Sequence, residues 1–204
     1  EGAMLRMDDV TLNGYVEVNN NATFLSHDSN ITSINDDPAI RVKANSHVHI
    51  ENSNITGSSS GYEAIWLWNN GSIMLQGTSS VTAPSGTSAI SLTTASSAVL
   101  IDDVQINSVD QTAIYIDKNS VVELNDNVAV IRSDGNDEIF VDPTSALRIN
   151  GSDITLANVS CGGITSFVED GSNNSVNISN TCNGYQNLMP NFIEISSGNC
   201  DSNN

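Results

Sequence analysis

A motif of about 25 residues recurs along this chain, and a fixed period of that length constrains the fold more than any other feature. It reads AIRVKANSHVHIENSNITG from Ala39, AIWLWNNGSIMLQGTSSVT from Ala64, AISLTTASSAVLIDDVQI from Ala89 and AIYIDKNSVVELNDNVAVI from Ala113. Weaker copies start near Val16, Ile139 and Val168. The leading positions Val16, Ile40, Ile65, Ile90, Ile114, Ile139 and Val168 are separated by 24, 25, 25, 24, 25 and 29 residues. A unit of this size buries its apolar face only by stacking on its neighbours.

Inside each copy the apolar residues alternate, break and alternate again. Ile40 and Val42 are followed by Val48 and Ile50 and then Ile55; Ile65, Leu67, Ile73, Leu75 and Val81 repeat the pattern. Period-two alternation indicates short strands with one buried face. Three such strands per copy, joined by polar corners, describe one turn of an all-β parallel β-helix. The expected solenoid has about seven rungs of 24–25 residues, right-handed by the usual preference of parallel crossovers. The corners agree. Five positions after the leading residue stand Asn21, Asn45, Asn70, Asn119 and Asn173, with Ala95 and Thr144 as the exceptions. Asn tolerates the left-handed conformation that a sharp corner needs, and stacked amides can bond to one another. The next position is small in all copies but the last: Ala22, Ser46, Gly71, Ser96, Ser120 and Ser145. Residues 1–180 are read as the solenoid and 181–204, where the pattern decays, as an irregular cap or tail.

Charge narrows the partners. Six Lys and Arg stand against 24 Asp and Glu, a formal charge of −18. Such a chain repels phosphate backbones and carries no basic stripe, which excludes nucleic acid. No apolar run has the length of a membrane span. The opening Glu1-Gly2-Ala3-Met4 reads as a cloning remnant on a segment cut from a longer chain. Cys161, Cys182 and Cys200 allow one disulfide and one thiol, with pairing not readable from sequence. Sequons begin at Asn21, Asn30, Asn54, Asn70, Asn150, Asn158, Asn173 and Asn177, as an Asn- and Ser-rich composition produces by itself.

The repeat AI-x-V-x-x-N-S-x-V-x-I-x-N-S-x-I-T-G resembles the right-handed parallel β-helix, pectin lyase-like superfamily over about residues 4–180. Autotransporter passenger domains and related bacterial adhesins are closest in style, which implies an extracellular or cell-surface location. Polysaccharide lyases, hydrolases and phage tailspikes share the architecture, so the resemblance implies a fold and no particular chemistry.

Asp8-Asp9 and Asp102-Asp103 fall at corners filled elsewhere by Asn52-Ser53 and Gly77-Thr78, and are read as turn formers. The oxygen-rich loop holding Asp134, Asn136 and Asp137 offers calcium as the one candidate cofactor, without EF-hand spacing. His47 and His49 flank Val48 and are read as outward imidazoles. Aromatic residues give the strongest signal. One position after each leading residue, pointing outward, come Glu17, Arg41, Trp66, Ser91, Tyr115, Phe140 and Glu169; two further on come Asn19, Lys43, Trp68, Thr93, Asp117, Asp142 and Gly171. Trp66, Trp68, Tyr115 and Phe140, with Arg41 and Lys43 beside them, should form a stripe about 15 Å long. The expected function is non-catalytic binding of a glycan or cell-surface receptor on that stripe. Three alternatives use the same scaffold: a polysaccharide-degrading enzyme or tailspike-like depolymerase with carboxylates drawn from Asp117, Asp142 and Glu169, a homo-oligomeric contact or packing of the C-terminal tail on the stripe, and a trimeric shaft.

Overall fold

The computed structural model describes residues 2–84, 86–151, 153–163, 165–171, 176–179 and 182–185. Among them are only strands, turns and bends; no helix is long and apolar enough to cross a membrane. The strands form three parallel sheets of nine, eight and six members, wound as a solenoid of about six turns. Each turn visits the sheets in a fixed order. In one copy Ile40–Lys43 belongs to the eight-stranded sheet, His47–Glu51 to the nine-stranded and Asn54–Thr56 to the six-stranded.

Pairing is in register with the motif. Val16 lies against Ile40, Ile40 against Ile65, Ile65 against Ile90, Ile90 against Ile114 and Ile114 against Ile139. The same holds for Ile31, Ile55, Val81, Ile106 and Val130 in the six-stranded sheet. All these residues are buried and stack as continuous aliphatic columns. Each buried side chain of this size contributes about 1.5–3 kcal/mol of transfer free energy, opposed by the ordering of the chain.

The seventh copy departs from the expected spacing. Ile139 pairs with Val159, only 20 residues on, and Val168 pairs instead with Leu147 in the nine-stranded sheet. The last turn is short because the six-stranded sheet ends with Ala129–Arg132, leaving a single bridge from Ala129 to Thr155 where another strand is due. Val168-Glu169-Asp170 imitates Val16-Glu17-Val18 in sequence but occupies a different side of the coil. Of the expected cap at 181–204, Asn183–Tyr185 adds a ninth strand to the nine-stranded sheet, and residues 186–204, with Cys200, lie outside the described residues, as do Asn173 and Asn174. Cys161 and Cys182 form a disulfide across this last turn.

Corner chemistry explains the conserved-looking grammar. Two successive residues at the first corner adopt left-handed backbone: Asn20 and Asn21, Ala44 and Asn45, Asn69 and Asn70, Thr94 and Ala95, Lys118 and Asn119. Ala95 (φ 59°) and Thr144 (φ 75°) obey the geometry although they lack the Asn that tolerates it. Where the column is Asn, the amides bond along the axis, Asn70 Nδ2 donating to Asn45 Oδ1 at 3.0 Å. Ser46, Ser96, Ser120 and Ser145 turn inward and are buried. The hydroxyls of Ser46, Ser120 and Ser145 accept backbone N–H groups from the preceding rung: Ala22 to Ser46, Ser96 to Ser120 and Ser120 to Ser145, at 3.2–3.3 Å. At Gly71 a Cβ would lie 2.6 Å from the Val42 carbonyl oxygen, so that copy takes no side chain at all. A second series, Ser29, Ser53 and Ser79, does the same at the next corner.

Two substitutions test this reading by chemical denaturation. Ala95→Asn should stabilise the chain by about 1 kcal/mol, because the left-handed penalty falls and an amide is restored to the column. Ser120→Ala should destabilise it by about 1–3 kcal/mol by leaving the buried Ser96 N–H without its acceptor.

Candidate functional site

The outer face of the eight-stranded sheet carries the aromatic residues. Side chains alternate across a strand, so once Ile65 and Leu67 are buried, Trp66 and Trp68 must point outward. Register then aligns Glu17, Arg41, Trp66, Ser91, Tyr115, Phe140 and finally Ser160 in one column. Lys43, Trp68 and Thr93 lie in the column beside it, and the chain continues through Asp117 and Asp142, whose N–H groups bond to the carbonyls of Leu92 and Ile116 in the preceding rungs. The four aromatics are thus brought onto one face, but as two pairs. Trp66 and Trp68 stack within one strand, centroids 5.9 Å apart and planes 5° from parallel. Tyr115 and Phe140 stack across rungs at 5.1 Å and 9°. Ser91, buried between Trp66 and Tyr115, makes a polar dip that divides the stripe.

Charges on this face are arranged unevenly. Arg41 lies 5.3 Å from the centre of the Trp66 ring, pairs with Asp37 at 3.0 Å and reaches Glu17 at 3.4 Å. Lys43 meets the other Glu17 oxygen at 3.0 Å. The hydrogen bond from Lys43, with the nearby Arg41, holds the Glu17 carboxyl below its ordinary pKa against the opposing effect of burial. Both expected cationic ligands therefore already have carboxylate partners. At the other end Asp117 and Asp142 are neighbours in consecutive rungs. Burial, then the hydrogen bond and charge of Asp117, push the Asp142 carboxyl above the usual range, with Lys118 opposing. Burial and the same two carboxylates raise the Tyr115 phenol. Lys118 itself is well exposed, 3.5 Å from Asp117.

Glu169 is elsewhere. Its strand, Phe167–Asp170, belongs to the nine-stranded sheet, where Glu169 lies opposite Arg148 and is 3.1 Å from it. Arg148 also meets Glu123 at 3.0 Å, so Glu169 is the buried end of an ion-pair ladder and shares no face with Asp117 and Asp142. The expectation that three carboxylates line one face is corrected by the shortened last turn. The remaining carboxyls, Asp117 and Asp142, lie in consecutive rungs beside Tyr115 and Phe140.

At the proposed calcium loop Arg132 brings its guanidinium to both oxygens of Asp134, at 2.6 and 2.7 Å, and Asn136 donates to the same carboxylate from backbone and side chain. Burial acts to raise the Asp134 carboxyl, but these bonds outweigh it and keep it below its usual pKa. An ion there would have to displace a cation the chain already supplies; Asp137 contributes a carbonyl to Arg132. His47 and His49 point outward on the nine-stranded sheet as expected, and Asp9, Asn52, Gly77 and Asp102 all take left-handed corner geometry. Among the described residues no group of three or more His, Cys, Asp and Glu could hold a metal.

Periodicity does not single out a second surface. On the outer face of the nine-stranded sheet Leu25, His49, Met74 and Val99 align in one column, with a shallow trough of about 420 Å³ alongside His49 and Met74. Apolar residues at outward positions were the available signal, masked by an equally apolar inward column. No family model, curated protein or solved structure matches this chain.

Opposite pKa displacements on one face give opposite pH signatures. Glu17, displaced downward, contributes stability above its unfolded pKa that is lost as pH falls through the folded value. Asp142, displaced upward, favours the fold below its unfolded pKa and loses that contribution as pH rises through the folded one. Thermal melts should therefore show Glu17→Gln lowering the Tm at neutral pH by about 1–3 °C and Asp142→Asn raising it by a similar amount. In acid, with both carboxyls protonated, each variant should melt with the parent.

Proposed function

We propose that this chain is a non-catalytic binding segment of an extracellular surface protein, of the adhesin type, that holds a glycan on the outer face of its eight-stranded sheet. The observation that carries the reading is the pair of aromatic stacks on one rigid face. Rings that are already packed against a partner, with Arg41 over Trp66, lose little freedom when a ligand arrives. Their remaining faces and edges, with Ser91, Thr93 and carboxylates nearby, combine the apolar surface and hydrogen-bonding groups that a pyranose requires. Trp68, 42% exposed, is the most accessible of the four rings. The autotransporter-like repeat grammar supports the surface location.

Glycan-array binding with Trp66→Ala and Trp68→Ala variants tests this. Each should reduce binding at least tenfold, equivalent to about 1.4 kcal/mol, while leaving the Tm within about 2 °C of the parent. Binding that survives both substitutions would remove the face from consideration. A depolymerisation assay on the same panel should show no cleavage.

A further inference from the structure

The two ends of the aromatic face differ in charge, and that difference bears on what it accepts. At the Trp66–Trp68 end Arg41 and Lys43 are held by Glu17 and Asp37, so neither is free to receive an anionic group. At the Tyr115–Phe140 end two neighbouring carboxyls, Asp117 and Asp142, stand two residues beyond the rings, just past the ends of strands Ile114–Ile116 and Ile139–Val141. Among the described residues their cationic neighbour is Lys118, which extends largely into solvent. Among the described residues the next rung places small residues at this end. Ser160 follows Phe140 in the column, and Gly162 follows Asp142. A Cβ at Gly162 would stand 3.1 Å from the Phe140 ring, 3.4 Å from the Asp142 carboxylate and 2.8 Å from the Pro143 ring. Glycine thus adds no side chain against the flank of the ring and the carboxyl.

An aromatic surface with adjacent carboxyls complements an ammonium carried on a sugar ring: the ring packs on apolar surface, the charge meets carboxylate oxygens, and the aromatic quadrupole adds to the attraction. Carboxylated or sulfated sugars would meet the same carboxyls with like charge. We propose that the face selects glycans bearing free amino groups, of the glucosamine type, with the ammonium against Asp117 and Asp142 and the sugar ring on Tyr115 and Phe140. This rests on the glycan-binding reading above and adds the ligand's chemical class.

The experiment compares three oligosaccharides of equal length by titration calorimetry at physiological ionic strength: a glucosamine oligomer, its fully N-acetylated counterpart and a galacturonic acid oligomer. The glucosamine oligomer should bind about tenfold tighter than the N-acetylated one, and the galacturonic acid oligomer should not bind. Because the whole chain carries a charge of −18, any polycation is drawn to it, and a charge-matched control is needed. The double variant Asp117→Asn/Asp142→Asn should lose the preference for the amine while keeping weaker binding of the N-acetylated oligomer. Asp102→Asn/Asp103→Asn, which removes two charges from a corner, should keep the preference. Equal affinity for the two glucosamine-type ligands, or an equal loss of preference in both double variants, would overturn the amine selectivity and leave glycan binding intact. Absence of binding by all three oligomers together with a blank glycan array would overturn both.

Discussion

Everything in this molecule depends on backbone hydrogen bonds that run along the solenoid axis and join each rung to the next in register. They convert a sequence separation of 24 or 25 residues into a distance of about 4.8 Å. A residue is therefore defined by its column. Aliphatic columns make the core, Asn and Ser columns make the corners, and aromatic or charged residues in outward columns become surface stripes. The demand is strict at the corners, where two successive left-handed residues recur in rung after rung. Thr94 and Ala95 adopt that geometry, and Thr144 a single left-handed step, against their own preference, which shows that the stacking of the rungs overrides local backbone propensity there.

How far the fold can be read from sequence follows from the same constraint. Ile40, Ile65, Ile90, Ile114 and Ile139 reveal the period because burial admits few alternatives at those positions. Asn45 and Asn70 reveal the corner because few side chains tolerate it. The buried serines are visible only as small residues; that Ser120 accepts the N–H of Ser96 depends on backbone geometry that composition does not encode. The departure at Val168 has a clear cause. The dipeptide Val168-Glu169 matches Val16-Glu17 and fits more than one side of the coil, and where a turn lacks its third strand the count of residues does not identify the side. Glu169 therefore stands on the nine-stranded sheet.

The candidate site was legible in outline and not in chemistry. That Trp66, Tyr115 and Phe140 share a face follows from alternation and period together, and the pairing confirms it. That they form two stacks divided by Ser91 does not, because ring orientation is set by side-chain packing rather than by column. Charge state was less accessible still. Arg41 and Lys43 look like free ligands in a chain with six basic residues, yet Glu17 comes from one rung earlier and Asp37 from the loop that leads into their own strand. In so acidic a chain a cation beside an outward strand meets a carboxylate nearly by default.

That scarcity of positive charge also shapes what the aromatic face can do. A net charge of −18 discourages anionic ligands at a distance, but solvent and salt screen that field within about 8–10 Å, so contact selectivity is decided by the few groups within reach. On this face those groups are rings, hydroxyls and a carboxyl pair. The proposed binding of neutral or amine-bearing sugars relies chiefly on stacking. It needs flat apolar surface held rigid by a scaffold, and a parallel solenoid supplies this because each outward side chain is fixed by the rungs on either side.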